Sequence, residues 1–158
     1  MELNIKEVKF KMEFVNYNAN PKNKKTGDCV IRALCTALED SWEQVYKEML
    51  DVAIRTGYAV SSKQNYTKYL SIKGYEKQKM PRRNDNSRYT IKEFIDELAD
   101  PNKTYIIDMA NHVTVASAGK LYDIWNCGSK SVGNHWVLNY KIKPEDKPTK
   151  KKSKRVLL

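Results

Sequence analysis

The stretch KNKKTGDCVIRALCTALED, residues 22–40, sets a polar, Gly-containing turn against an apolar-periodic run, with Cys29 at the join. Val30, Ile31, Leu34 and Leu38 recur at helical spacing, which predicts a helix from Cys29 to about Glu39, with Asp28 as its N-cap. A thiol in the first turn of a helix faces unpaired backbone N–H groups and the positive end of the dipole, and both favour thiolate over thiol. Cys35 lies almost two turns further on, beyond that influence. Cys127 stands beside Gly128 in a turn with no helix start in sequence reach. Cys29 is therefore the one candidate nucleophile.

More helices follow. Ser41 with Gln44 opens a second one carrying Trp42, Val45, Tyr46, Met49, Leu50 and Ala53, and Gly57 ends it. Ser61 with Gln64 repeats the signal for a third, which carries Tyr66, Tyr69 and Leu70 and stops near Gly74. Residues 77–89 are basic and polar and read as an exposed loop. Thr90 with Glu93 starts a last helix with Ile91, Phe94, Ile95 and Leu98 inward, closed by Asp100-Pro101-Asn102.

The pattern then changes to short β-rich runs, KTYIIDMA, HVTVASA, KLYDIWN and HWVLNYKI, separated by turn residues. These predict an antiparallel meander. Near the N-terminus LNIKEVKF and KMEFVNY suggest one or two further strands, and residues 16–27 a loop. Helices first and strands second predict an α+β fold: N-terminal helices, the cysteine-bearing one central, packed on a C-terminal antiparallel sheet.

A nucleophilic thiol needs a base, and the base an orienting partner. In residues 111–128, NHVTVASAGKLYDIWNCG, a hairpin turning at Ala118-Gly119 sets Thr114 opposite Asp123 and His112 opposite Trp125. Side chains alternate between faces, so His112, Thr114, Asp123 and Trp125 share one face. Val113, Val115, Tyr122 and Ile124 share the apolar one. His112 and Asp123 then stand diagonally across the ladder, about 7 Å apart at the backbone and within side-chain reach. A carboxylate on one ring nitrogen would hold the tautomer and leave the other nitrogen for the thiol proton. Trp125, on the same face, is a candidate wall for a substrate cleft. Asn126 falls on the opposite strand face.

GDCVIRAL, followed by HVTV and then YD, resembles the papain-like cysteine peptidase superfamily over roughly residues 16–140, and is most similar to small bacterial and phage-type members related to leader-peptide-trimming domains. The resemblance implies a papain-like fold and a Cys29, His112, Asp123 triad. It also implies an oxyanion donor about six residues before the cysteine, where the family has glutamine and this chain has Asn23. His135, in GNHWVLNY, is a rival base, since HWVL also resembles a family histidine strand. Its carboxylate would be Asp146, in the Pro-flanked KPEDKP segment, a weaker support than a regular element. The function implied is a thiol hydrolase that cleaves a peptide or amide bond through an acyl-enzyme. A related acyltransferase, deamidase or isopeptidase would use the same constellation. A phage or mobile-element protein that binds a host partner and merely keeps the fold is the non-catalytic alternative.

Composition sets the remaining bounds. A chain of 158 residues suits one domain, here residues 1–142, followed by a basic tail over 143–158. The formal net charge is +10, but residues 143–158 hold seven basic and two acidic side chains, a net +5. That tail suggests weak polyanion contact at most, and no aromatic-rich basic motif for stacking bases accompanies it. Three cysteines without CxxC spacing argue against a disulfide framework and for a reducing compartment. No apolar run reaches membrane-spanning length and no secretory signal is apparent, so the expectation is a cytoplasmic protein, in the host cytoplasm if phage-encoded, without a membrane partner. Two histidines 23 residues apart without flanking ligands form no zinc signature, and no cofactor is implied.

Overall fold

The computed structural model describes residues 11–142. The expected strand LNIKEVKF and the basic tail, with Asp146, lie outside the described residues.

Helix α1 (Cys29–Leu38) starts at the expected residue and buries nearly its whole surface, with Leu34, Cys35 and Ala37 fully enclosed. Truncating a side chain as enclosed as Leu34 to alanine costs about 2–5 kcal/mol in comparable cores. Helix α2 (Trp42–Thr56) begins at Ser41, whose hydroxyl accepts from Gln44 N–H at 3.0 Å, and ends on Gly57 in the left-handed conformation. The Gln44 amide turns forward to Glu48 instead of back to the cap, so the capping is one-sided. Helix α3 (Lys63–Ile72) is capped by Ser62 accepting from Asn65 N–H, one residue later than the Ser61–Gln64 reading. Asn65 is fully buried and its amide ties α3 to the Met49 and Val60 carbonyls, which fixes that choice. Helix α4 (Ile91–Glu97) has the complete reciprocal box: Thr90 Oγ1 accepts from Glu93 N–H, and Glu93 Oε2 accepts from Thr90 N–H.

The strands are β1 (Glu13–Asn16), β2 (Lys77–Gln78), β3 (Thr104–Met109), β4 (His112–Ser117), β5 (Lys120–Asp123) and β6 (His135–Leu138), in one sheet of order β1-β5-β4-β3-β6-β2. The β3–β4–β5 meander and the β6–β3 pairing are antiparallel, as expected. Two features depart from the expected all-antiparallel C-terminal sheet. Strand β1 pairs in parallel with β5, so the sheet is mixed, and Lys77–Gln78, read as loop, adds a short edge strand on β6.

The meander is buried on both faces, with β3 enclosed throughout. Ile106, Val113, Val115, Tyr122, Trp136 and Leu138 pack with α1, α2 and α3. Their alternating neighbours Tyr105, Ile107, Ala116 and Leu121 pack with α4 and the segment around Cys127 and Val132. Helices thus cover both faces of the sheet, whereas the sequence reading put one helical layer on one apolar face. No helix among the described residues is long and apolar enough to cross a membrane.

The β4–β5 hairpin has the register the site requires: Ser117 pairs Lys120, Ala116 pairs Leu121 and Val115 pairs Tyr122. The two-residue loop holds Ala118 at φ 51° and Gly119 at φ 75°, the type I′ signature that matches strand twist.

Candidate active site

Cys29, His112 and Asp123 come together at one end of the sheet. Helix α1 crosses β4 so that its first turn reaches the beginning of that strand, where His112 is the first residue. Cys29, His112 and Val113 line one open cavity of about 560 Å³. Asp123, the last residue of β5, meets the histidine with Oδ2 2.6 Å from Nε2. Nε2 being engaged, Nδ1 is the nitrogen left for the sulfur.

Burial alone would raise the pKa of the Cys29 thiol, but the neighbouring His112 side chain and Val113 N–H, with the charges of His112 and Arg32, outweigh burial and bring the thiol below its ordinary value. His112 moves oppositely. Burial works to lower it, but the hydrogen bonds to Asp123, Cys127 and Cys29, with the Asp123 charge, carry the imidazole up to about 11. The two shifts run in opposite directions, and each favours a thiolate–imidazolium pair over the neutral pair. Burial would raise Asp123, yet its hydrogen bond to His112, the Thr114 hydroxyl and the Ile124 N–H hold the carboxylate below the usual range.

Asp28 does something other than cap α1. It occupies the N-cap position, but no side-chain cap bond forms. Its carboxylate accepts from Asn20 Nδ2 and Trp42 Nε1, both at 2.9 Å, and pairs with Arg32, itself 6% exposed. The consequence is favourable to chemistry. A capping carboxylate would sit on the first-turn N–H groups and repel a neighbouring thiolate; drawn sideways onto Arg32, it leaves those donors unclaimed by any side-chain cap.

The other expected residues divide. Trp125 flanks the imidazole, ring centroids 5.1 Å apart, but is not among the described residues lining the cavity, so it walls the histidine and not the cleft. Asn23 does not serve the cavity either: it is exposed at φ 54°, its N–H closing a turn onto the Asn20 carbonyl. The loop's buried asparagine is Asn20, already committed to Asp28. His135 is half-buried, packed against Phe94 and Tyr105 and lowered by burial, with no hydrogen bond to Nδ1 among the described residues. Cys35 is inert, its thiol pushed up to about 12 by burial.

Cys127 is the participant the sequence reading missed. It is fully buried behind the triad and donates its S–H to Asp123 Oδ2 at 3.7 Å. His112, Asp123 and Cys127 bring one donor atom each within 4.8 Å of one another, a set that by type suits a metal ion. The 2.6 Å contact between His112 and Asp123 is a direct hydrogen bond that leaves no width for an ion between them. No family model matches this chain, and no curated protein or solved structure matches it significantly.

Proposed function

We propose that this protein is a thiol hydrolase of papain-like type, acting on a peptide or amide bond. The observation that carries the reading is that Cys29 and His112 line one open cavity, with the His112 ring held from behind by Asp123 at 2.6 Å. The Cys29 thiolate attacks the substrate carbonyl carbon and the π electrons move to oxygen. The first-turn N–H groups of α1, without Asn23, hold that oxyanion. His112 gives its proton to the departing amine as the C–N bond breaks, leaving a thioester on Cys29. A water molecule, deprotonated by His112, then releases the acid and regenerates the thiol. Asp123 keeps the ring oriented and stabilises its charge through the cycle.

An activated p-nitrophenyl ester tests this without knowledge of the natural substrate. A burst of p-nitrophenol equal to the protein present, an acyl group on the peptide containing Cys29, and loss of both in Cys29→Ala and His112→Ala are expected. Release at the same rate in all three proteins would reject the reading.

A further inference from the structure

The cavity beside Cys29 has a charged floor that the triad does not use. Asp108 of β3 lies opposite Val113 of β4, the residue whose N–H meets the thiol. Its side chain is 6% exposed and lines the cavity. Oδ2 accepts no directed hydrogen bond among the described residues, and Lys63 Nζ stands 2.5 Å away. The backbone pins this strand position, since Gly133 N–H donates to the Asp108 carbonyl and a Cβ on Gly133 would lie 2.7 Å from that oxygen. Tyr66, buried on α3, lies close to Asp108; burial first, then this carboxylate, keeps its phenol protonated. Arg88 also lines the cavity, with its guanidinium donating to the Val132 carbonyl.

A buried carboxylate is costly unless a cation neutralises it. Here the neutralising cation is attached to the first residue of α3, where a positive charge opposes the helix dipole, and its side chain is 56% exposed. The lysine end of the pair is therefore the replaceable one: the carboxylate needs a cation, and another cation can supply it. A substrate cation entering the cavity would keep the carboxylate neutralised and add charge-assisted hydrogen bonds shielded from water.

We propose that Asp108 is a specificity-determining residue that receives the cationic side chain of a lysine or arginine beside the bond presented to Cys29, with Lys63 standing in for that cation in the free protein. The position of the bond rests on the thiol-hydrolase reading; capture of the cation does not require the thiol to react. The test is equilibrium binding to the Cys29→Ala protein of two capped tripeptide amides that differ only in arginine against citrulline, its uncharged isostere. The arginine peptide should bind about tenfold tighter or better. Asp108→Asn should abolish the difference. Lys63→Met, which leaves Asp108 without its cation in the free protein, should tighten arginine binding severalfold by removing the competitor. Equal affinities, a preference that survives Asp108→Asn, or arginine binding unchanged or weakened in Lys63→Met would each overturn the proposal. The nitrophenol burst of the protein with Cys29 present separates the two ideas. Arginine preference without a burst would sink the hydrolase and keep the cation site, and a burst without arginine preference would do the reverse.

Discussion

Replacing Asp28 by alanine tests whether the turn before Cys29 is held electrostatically. The carboxylate has three partners, Asn20, Trp42 and Arg32, and the Arg32 side chain is 7% exposed. Removing it leaves the guanidinium buried with one acceptor among the described residues, the Thr26 carbonyl at 3.2 Å. Breaking a buried pair by deleting one partner costs about 3–5 kcal/mol, most of it the stranded charge. Asn20 loses its acceptor in the interior, whereas Trp42 is close enough to the surface to find water. We therefore expect a loss of about 4 kcal/mol, which for a domain of this size is a fall in Tm of roughly 8–16 °C. Urea unfolding followed by circular dichroism measures it. Arg32→Leu in the same protein should recover about 2 kcal/mol or more of the loss, because no charge then remains unpaired. A loss below about 1 kcal/mol, or a double variant no better than Asp28→Ala, would refute the reasoning and make the pair an ordinary surface contact.

Other outcomes follow from particular residues. Ala118 holds φ 51° at the first position of the type I′ turn, so Ala118→Asn, which makes the favoured Asn-Gly pair, should raise stability by about 0.5–1 kcal/mol in urea melts. His135 is half-buried and its folded pKa is lowered by burial, so it stabilises fully above the unfolded value and its contribution is lost as pH falls below about 6.5. His135→Phe should therefore flatten the acid side of the stability profile while leaving the Cys29 alkylation rate unchanged; an equally steep profile would contradict the assignment. Asp123→Asn should slow iodoacetamide labelling of Cys29 by about tenfold, since His112 loses the charge that keeps it protonated. Labelling at the native rate would show that the carboxylate plays no part.

What was legible in the sequence was local. Thr90–Glu93 and Gly57 act through backbone groups a few residues away, and the structure has them where they were read. The decisive inference was also local: apolar alternation on either side of Ala118-Gly119 fixed an even loop, and the even loop put His112 and Asp123 on one face. Long-range pairing was not legible. Nothing within EFVN says that it will lie parallel to β5, and KQ is too short and polar to announce an edge strand on β6. In sequence Asp28 has the position of a cap, because the competitor, Arg32 on the next turn, is recognisable only once both are buried. Cys127 and Asp108 were missed for the same reason, since each gains its meaning from burial against a residue on another segment.

The account depends on Cys29 being ionised by His112 near neutral pH, and the most direct test is the pH dependence of iodoacetamide alkylation at Cys29, located by mass spectrometry, with and without His112. The folded protein should reach half its limiting rate well below the ~8.5 of a free thiol, and His112→Ala should carry that midpoint upward by a unit or more. A midpoint at or above the free-thiol value, unmoved by the substitution, would contradict the claim.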